Sequence, residues 1–194
     1  MRTLAKLLAA LPLAALVLGT AHAAPPHKIT LTFTPATTKI DWSLGAVLHT
    51  AHGTFALAKG SIAFDAETGA ADGLLLINAS SGVGGEDALT RNMQTKVLES
   101  DKFPLITFRP THVTGHPTFA SDETVTVDGI FTLHGTDHPL KLDIKLHPEA
   151  GKVIATTNFV IPYVAWGLKD PSTFVFRVAK TVAIDIQATL PATP

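Results

Sequence analysis

Polar and apolar residues alternate with a period of two along most of the chain. Ile40, Trp42 and Leu44 alternate with Lys39, Asp41 and Ser43, and Leu140, Leu142, Ile144 and Leu146 alternate with Lys141, Asp143 and Lys145. Successive side chains of a strand point to opposite faces, so these runs predict half-buried antiparallel strands. Val125, Val127, Gly129, Phe131 and Leu133 share one face of another such strand. Phe174, Phe176, Val178, Val182, Ile184 and Ile186 predict one face of a long final strand. Further strands are predicted over residues 29–33, 46–57, 59–65, 71–79, 104–114 and 152–161, with turn chemistry at Asp65–Gly69 and Pro148–Gly151.

One segment breaks this period. Between Glu86 and Glu99 there is neither glycine nor proline, and Leu89, Met93 and Val97 recur at a spacing of four, with Leu98 beside them. That spacing places them on one face of a helix of about three turns. Glu86 and Asp87 put negative charge at its start, where the helix dipole favours it. Pro104 blocks extension because it lacks a backbone donor. The predicted fold is all-β: about ten antiparallel strands at short intervals with one short helix, over residues 86–99, covering one end of a barrel or sandwich. A barrel of about eight strands has an interior that side chains can fill or that can hold one small ligand. The strand pattern does not choose between these.

The N-terminus departs from both patterns. Arg2 and Lys6 precede an apolar run from Leu7 to Leu18, which ends at the small residues Ala21-His22-Ala23. About a dozen apolar residues are too few to span a bilayer, which needs roughly 20, so residues 1–23 read as a signal peptide cleaved after Ala23. Residues 24–28 read as a flexible leader and residues 29–190 as one domain. Removing 23 of 194 residues leaves 171, enough for a single core. No second apolar run of spanning length follows, so no stable membrane insertion is expected. Taking out Arg2 and Lys6 leaves 13 basic against 16 acidic residues with no basic stripe, which argues against nucleic acid. With no cysteine, the chain has no disulfide, thiol nucleophile or thiolate metal site, and its stability must come from its core.

Several segments together resemble the lipid-binding or polyisoprenoid-binding YceI-like family of exported bacterial proteins. They are Ala51-His-Gly-Thr-Phe55 with Gly60-Ser-Ile-Ala-Phe-Asp65, the helix from Arg91 to Leu98 running into Phe103-Pro-Leu-Ile-Thr-Phe108, and Asp128-Gly-Ile-Phe-Thr-Leu-His-Gly135 with His138-Pro-Leu140. The likeness covers residues 40 to 188. It implies a lipocalin-like antiparallel barrel in the periplasm whose elongated apolar cavity takes up an isoprenoid or similar lipid, for carriage or sequestration, with no enzymatic activity and no other cofactor. Gln94 and Asn92 stand where relatives often carry a histidine and an aspartate around the helix arginine. If those residues grip a head group in relatives, head-group selection differs here.

Candidate ligand-binding residues are the bulky side chains on the expected inward faces: Trp42, Phe55, Leu76, Phe108, Phe131, Ile144, Phe159 and Phe176, with Met93 on the helix. A lipid site is mostly apolar with a few orienting polar groups, but a solid core selects the same residues, because burying a Phe or Leu is worth about 1.5–3 kcal/mol in either. Arg91 is the candidate polar contact at a barrel mouth, or else a structural tie. Trp166, with Tyr163, sits in a proline-flanked loop and is a candidate gate at the opening opposite the helix, or else an anchor of that loop by burial. Two alternative functions remain: a filled-barrel structural or interaction module, and a periplasmic histidine-based metal-binding protein. For the latter, His134 and His138 flank a turn that can bring them together, while His49 and His52 point to opposite faces of a strand. No acidic or cysteine ligand completes a metal set, so none is assigned. No catalytic residue is assigned, because Ser80-Ser81 lacks the context that exposes a nucleophile and Gly82-Val-Gly-Gly85 fits no phosphate-binding fingerprint. The expected partner is an apolar small molecule or lipid; the oligomeric state is open, a homodimer included.

Overall fold

A computed structural model describes residues 28–192 except Val175. The predicted signal peptide, its cleavage after Ala23 and the leader up to residue 27 lie outside the described residues. Eleven strands form one antiparallel sheet: β1 (Lys28–Phe33), β2 (Thr38–Gly45), β3 (Thr50–Phe55), β4 (Leu57–Asp65), β5 (Ala71–Asn78), β6 (Val83–Gly84), β7 (Leu105–Thr114), β8 (Glu123–Leu133), β9 (Thr136–Glu149), β10 (Lys152–Ile161) and β11 (Val182–Pro191). Their order is β1-β4-β5-β7-β8-β9-β10-β11-β2-β3-β6. The fold is the all-β, antiparallel barrel-like architecture predicted from the alternation.

The sheet curls back on itself through one bent strand. Only Ala56 separates β3 from β4; β3 pairs with β2, whereas β4 pairs with β5 and β1. The two halves therefore join opposite regions of the sheet order and draw it into a barrel. Ser81 holds the bend: its Oγ accepts from the Ala56 amide at 2.9 Å and donates to the Asn78 carbonyl at 2.6 Å. Two hairpins are tight enough to fix register. His134–Gly135 joins β8 to β9, and Ala150–Gly151 joins β9 to β10, with positive φ at all four residues. That is the two-residue turn whose twist matches the strands it connects.

The predicted faces are observed on β8, where Val125, Val127, Phe131 and Leu133 are buried and alternate with half-buried residues. Three boundaries differ. The predicted strand over 46–57 is interrupted, because residues 46–49 form a loop before β3. The helix is shorter as an α-helix than predicted: α1 (Asp87–Asn92) passes into a π-helical turn, Met93–Val97, in which the Leu98 amide donates to the Met93 carbonyl five residues back at 2.8 Å. The long final strand begins only at Val182. Before it, the Phe176 amide donates to Thr173 Oγ1 and the Val178 amide to Ser172 Oγ, so local side chains take donors that a ladder would need. Phe174 is 94% exposed as a result, and Val178 makes only an isolated bridge to Ala46.

Candidate functional site

Inward residues of the barrel enclose two apolar chambers in series. The first, about 160 Å³, lies under the helix. Ile40, Trp42 and Leu44 of β2 and Phe55 of β3 form one wall, Phe131 and Phe159 another, and Leu89, Met93, Val97 and Leu98 roof it. The second, about 120 Å³, is lined by Phe108 of β7, Val125 and Val127 of β8, Leu142 and Ile144 of β9, and Leu31 and Phe33 of β1, among others. Ile186 of β11 borders both and marks a waist between them.

Close backbone approaches place these walls. Gly53 stands opposite Trp42 in the β2–β3 register, and a Cβ there would lie 2.5 Å from the indole and 1.9 Å from the Val83 carbonyl. The missing side chain lets the indole lie across β3 and donate from Nε1 to Val83 O at 3.2 Å. A Cβ on Gly82 would meet Phe55 at 2.4 Å and the Met93 methyl at 2.9 Å, so this glycine admits both rings and roof to the first chamber.

The helix is tied down by Gln94, whose Nε2 donates to the Ser80 and Gly82 carbonyls at 2.8 Å each. Gln94 is thereby a structural tie, while Asn92 is exposed and marks where the first chamber meets the surface. At the helix end, Glu99 takes a left-handed conformation with φ 44°. Its carboxylate accepts from Lys102 and meets His134 Nε2 at 3.0 Å, which clasps the helix end to the β8–β9 turn. Hydrogen bonds from Lys102 and then His134 hold the Glu99 carboxyl below its ordinary value. Tyr163 also lines the first chamber; its hydroxyl donates to Ala179 O at 2.8 Å, and burial, followed by Asp170, pushes it up to about 12. The far end of the second chamber is stopped by Phe119, 6% exposed with φ 57°, whose amide donates to Glu123 at 2.8 Å.

Of the sequence-predicted residues, Trp42, Phe55, Met93, Phe131 and Phe159 come together around the first chamber, and Phe108 and Ile144 around the second. Leu76 does not join them. Its neighbours Leu75 and Ile77 pair with Phe108 and Ile106 and face inward, so alternation turns Leu76 outward. Phe176 is 40% exposed and lies against His49, in the loop that replaces the predicted strand. Arg91 is exposed on the helix and lines neither chamber, because the apolar stripe one residue away faces the barrel. Trp166 lies at the same end as the helix, not the opposite one: Tyr163, Leu168 and Pro171 of its loop line the chamber that the helix roofs. The Trp166 ring stacks on His138 at 3.9 Å and packs near Phe131. His134 and His138 are not brought together, since one meets Glu99 and Phe103 while the other lies under Trp166. Among the described residues no group of three or more histidine or acidic side chains is arranged to hold a metal ion. No helix among them is long and apolar enough to cross a membrane.

This arrangement of a helix-capped antiparallel barrel coincides with a known family. The sequence model of the YceI-like domain matches residues 31–190. The chain belongs to the YceI-like family. Among solved structures, it is similar to BcnA of Burkholderia cenocepacia, with a TM-score of 0.65 and 17% identity over 81% of this chain and 98% of that one. It is also similar to a polyisoprenoid binding domain from Saccharophagus degradans implicated in plant cell wall breakdown, with a TM-score of 0.60 and 14% identity over 85% of this chain and 98% of that one. Identities this low concern the fold of the YceI-like domain. Comparison with curated proteins returns no match.

Proposed function

We propose that this YceI-like protein is a non-enzymatic carrier, exported to the periplasm after cleavage following Ala23, that holds a long apolar lipid of isoprenoid type in its barrel. The observation that carries the reading is the pair of chambers in series, lined almost wholly by apolar side chains and roofed by a helix fastened through Gln94. Apolar clefts with a few polar groups suit such ligands, and two chambers end to end suit an elongated one. A relative of the same fold being a polyisoprenoid binding domain supports the ligand class. The test is to extract the purified protein with organic solvent and analyse the extract by mass spectrometry. Recovery of a long-chain isoprenoid in near-stoichiometric amount is expected. An extract free of apolar molecules, with no uptake of added prenol, would overturn the proposal.

A further inference from the structure

Large hydrophobic side chains stand outside the barrel where two of its loops meet. Among the described residues, Val47, Leu48, Phe174 and Phe176 are exposed together at one end, whereas the exposed Leu74, Val83, Leu105 and Val160 sit singly on β5, β6, β7 and β10. Single apolar residues are ordinary on a protein surface, but a cluster of them marks a contact.

The β2–β3 hairpin turns at Val47 and Leu48, the Ala46 amide donating to the His49 carbonyl at 3.0 Å, one step beyond Gly45↔Thr50. Asn, Asp or Gly ordinarily fills such a tip, yet here Leu48 is 84% exposed. The second loop turns at Phe174. The Thr173 amide donates to the Phe176 carbonyl at 2.7 Å, and the Phe176 amide donates to Thr173 Oγ1 at 3.0 Å. Further hydrogen bonds fasten the two turns together: the Val47 amide donates to the Arg177 carbonyl at 3.2 Å, and the Ala179 amide to the Gly45 carbonyl at 2.7 Å. With Phe176 against His49, they present one apolar tip.

This tip stands at the rim of the first chamber. Leu44 and Pro171 line that chamber, and Val47 and Phe174 follow them in the chain by three residues each. Basic side chains flank the tip: Lys169, Arg177 and Lys180 are exposed on the loop over residues 162–181, which carries a single acid, Asp170. That carboxylate accepts from the Ser172 amide at 2.9 Å and lies in the field of Lys180 and Arg177. Glu86 and Asp87 follow β6, which β3 and β2 separate from this loop. Residues 24–194 together carry more acid than base, so the positive charge here is local.

We propose that this tip docks the barrel on a bilayer containing anionic lipids. Val47, Leu48, Phe174 and Phe176 enter the boundary between head groups and acyl chains, as the apolar face of an interfacial segment does, and Lys169, Arg177 and Lys180 meet lipid phosphates. A second copy of the chain would cover the apolar side chains equally well, but it would set like charges against each other; a phosphate layer neutralises them. Docking brings the rim of the first chamber against the lipid layer, so that an apolar cargo passes between layer and barrel without crossing water. The proposal goes beyond the carrier reading, because docking itself needs no cargo.

The test uses the processed chain from Ala24 onward, so that the apolar run Leu7–Leu18 does not itself bind lipid. Cosedimentation is measured with vesicles of phosphatidylethanolamine and phosphatidylglycerol at 3:1, and with vesicles of phosphatidylcholine alone. Wild type should bind the anionic vesicles about tenfold or more tightly than the neutral ones, and less tightly as salt is raised. Leu48→Ser combined with Phe174→Ser should weaken binding at least tenfold. Arg177→Gln combined with Lys180→Gln should narrow the difference between the vesicles. All four positions are exposed, so the unfolding midpoints of both variants should match wild type, and the Arg177→Gln, Lys180→Gln variant keeps the test decisive if the serine variant folds poorly. Equal binding by wild type and the serine variant, equal binding of both vesicles, or no vesicle binding would overturn the proposal; so would a dimer seen by light scattering that the serine changes dissolve while no vesicle is bound. The vesicles contain no isoprenoid, so failure to dock leaves the carrier reading standing, and an empty solvent extract leaves docking standing.

Discussion

Replacing Ile186 by alanine tests whether the waist stands between two voids or inside a solid core. The change deletes three carbon atoms; at about 0.8 kcal/mol per buried methylene the transfer cost is about 2.4 kcal/mol. Core Ile→Ala changes span about 2–5 kcal/mol, the upper part arising when neighbours on every side lose contacts. Ile186 borders a chamber on both sides, so fewer packing contacts are lost and the destabilisation should be about 2–2.5 kcal/mol. Urea unfolding monitored by circular dichroism gives the value, with an unchanged denaturant slope confirming that only stability moved. The reverse substitution sharpens the test. Ile186→Phe would cost about 1–3 kcal/mol in a filled interior but should cost under about 1 kcal/mol where space lies on either side. A loss above about 4 kcal/mol for the alanine variant, together with a loss above about 2 kcal/mol for the phenylalanine variant, would refute the two-chamber description and favour a filled barrel.

Gln94→Leu removes two hydrogen bonds, an exposed one to Ser80 and a part-buried one to Gly82; a destabilisation of about 1–2 kcal/mol is expected, with hydrogen exchange rising over residues 87–97 and little change in β8. Gly53→Ala places a methyl on the Val83 carbonyl and the Trp42 ring; a loss of about 1–3 kcal/mol is expected with a shift in tryptophan emission, and an unaltered spectrum would contradict the close approach. Phe119→Ala opens the far end of the second chamber and should cost about 3–5 kcal/mol, read as a lowered urea midpoint. The Glu99 carboxyl is held below its ordinary 4.5 by Lys102 and His134, so its contribution is present above pH 4.5 and is lost as pH falls through the depressed value. The stability difference between wild type and Glu99→Gln should therefore shrink on acidification below pH 4.5, and a difference that persists at pH 2 would show that the clasp does not depend on the ionised carboxylate.

Alternation read along the chain was enough to assign the inward face of β2, β8 and β9, because a period of two admits one buried set per strand. It failed where the period carries no phase. Leu74-Leu75-Leu76-Ile77 is apolar throughout, and only pairing of Leu75 with Phe108 and of Ile77 with Ile106 turns Leu76 outward. It also failed at Phe174 and Phe176, whose alternation is real but which lie outside any ladder, the Phe176 amide being taken by Thr173 and the Val178 amide by Ser172. The family motifs were legible because they are local: the glycines, the helix stripe and the His134–Gly135 turn are each set by near neighbours. Whether the interior is core or cavity was not legible, since the same bulky side chains serve both and the empty volume depends on how far apart curling sets opposite walls. The end of the β9–β10 ladder at Lys145↔Thr156 and the stacking of Trp166 on His138 likewise exist only in the assembled sheet. The sequence by itself determined an antiparallel β fold with a single helix; tertiary structure decided the two chambers and the apolar waist at Ile186, because both arise from register and curvature between strands distant in sequence.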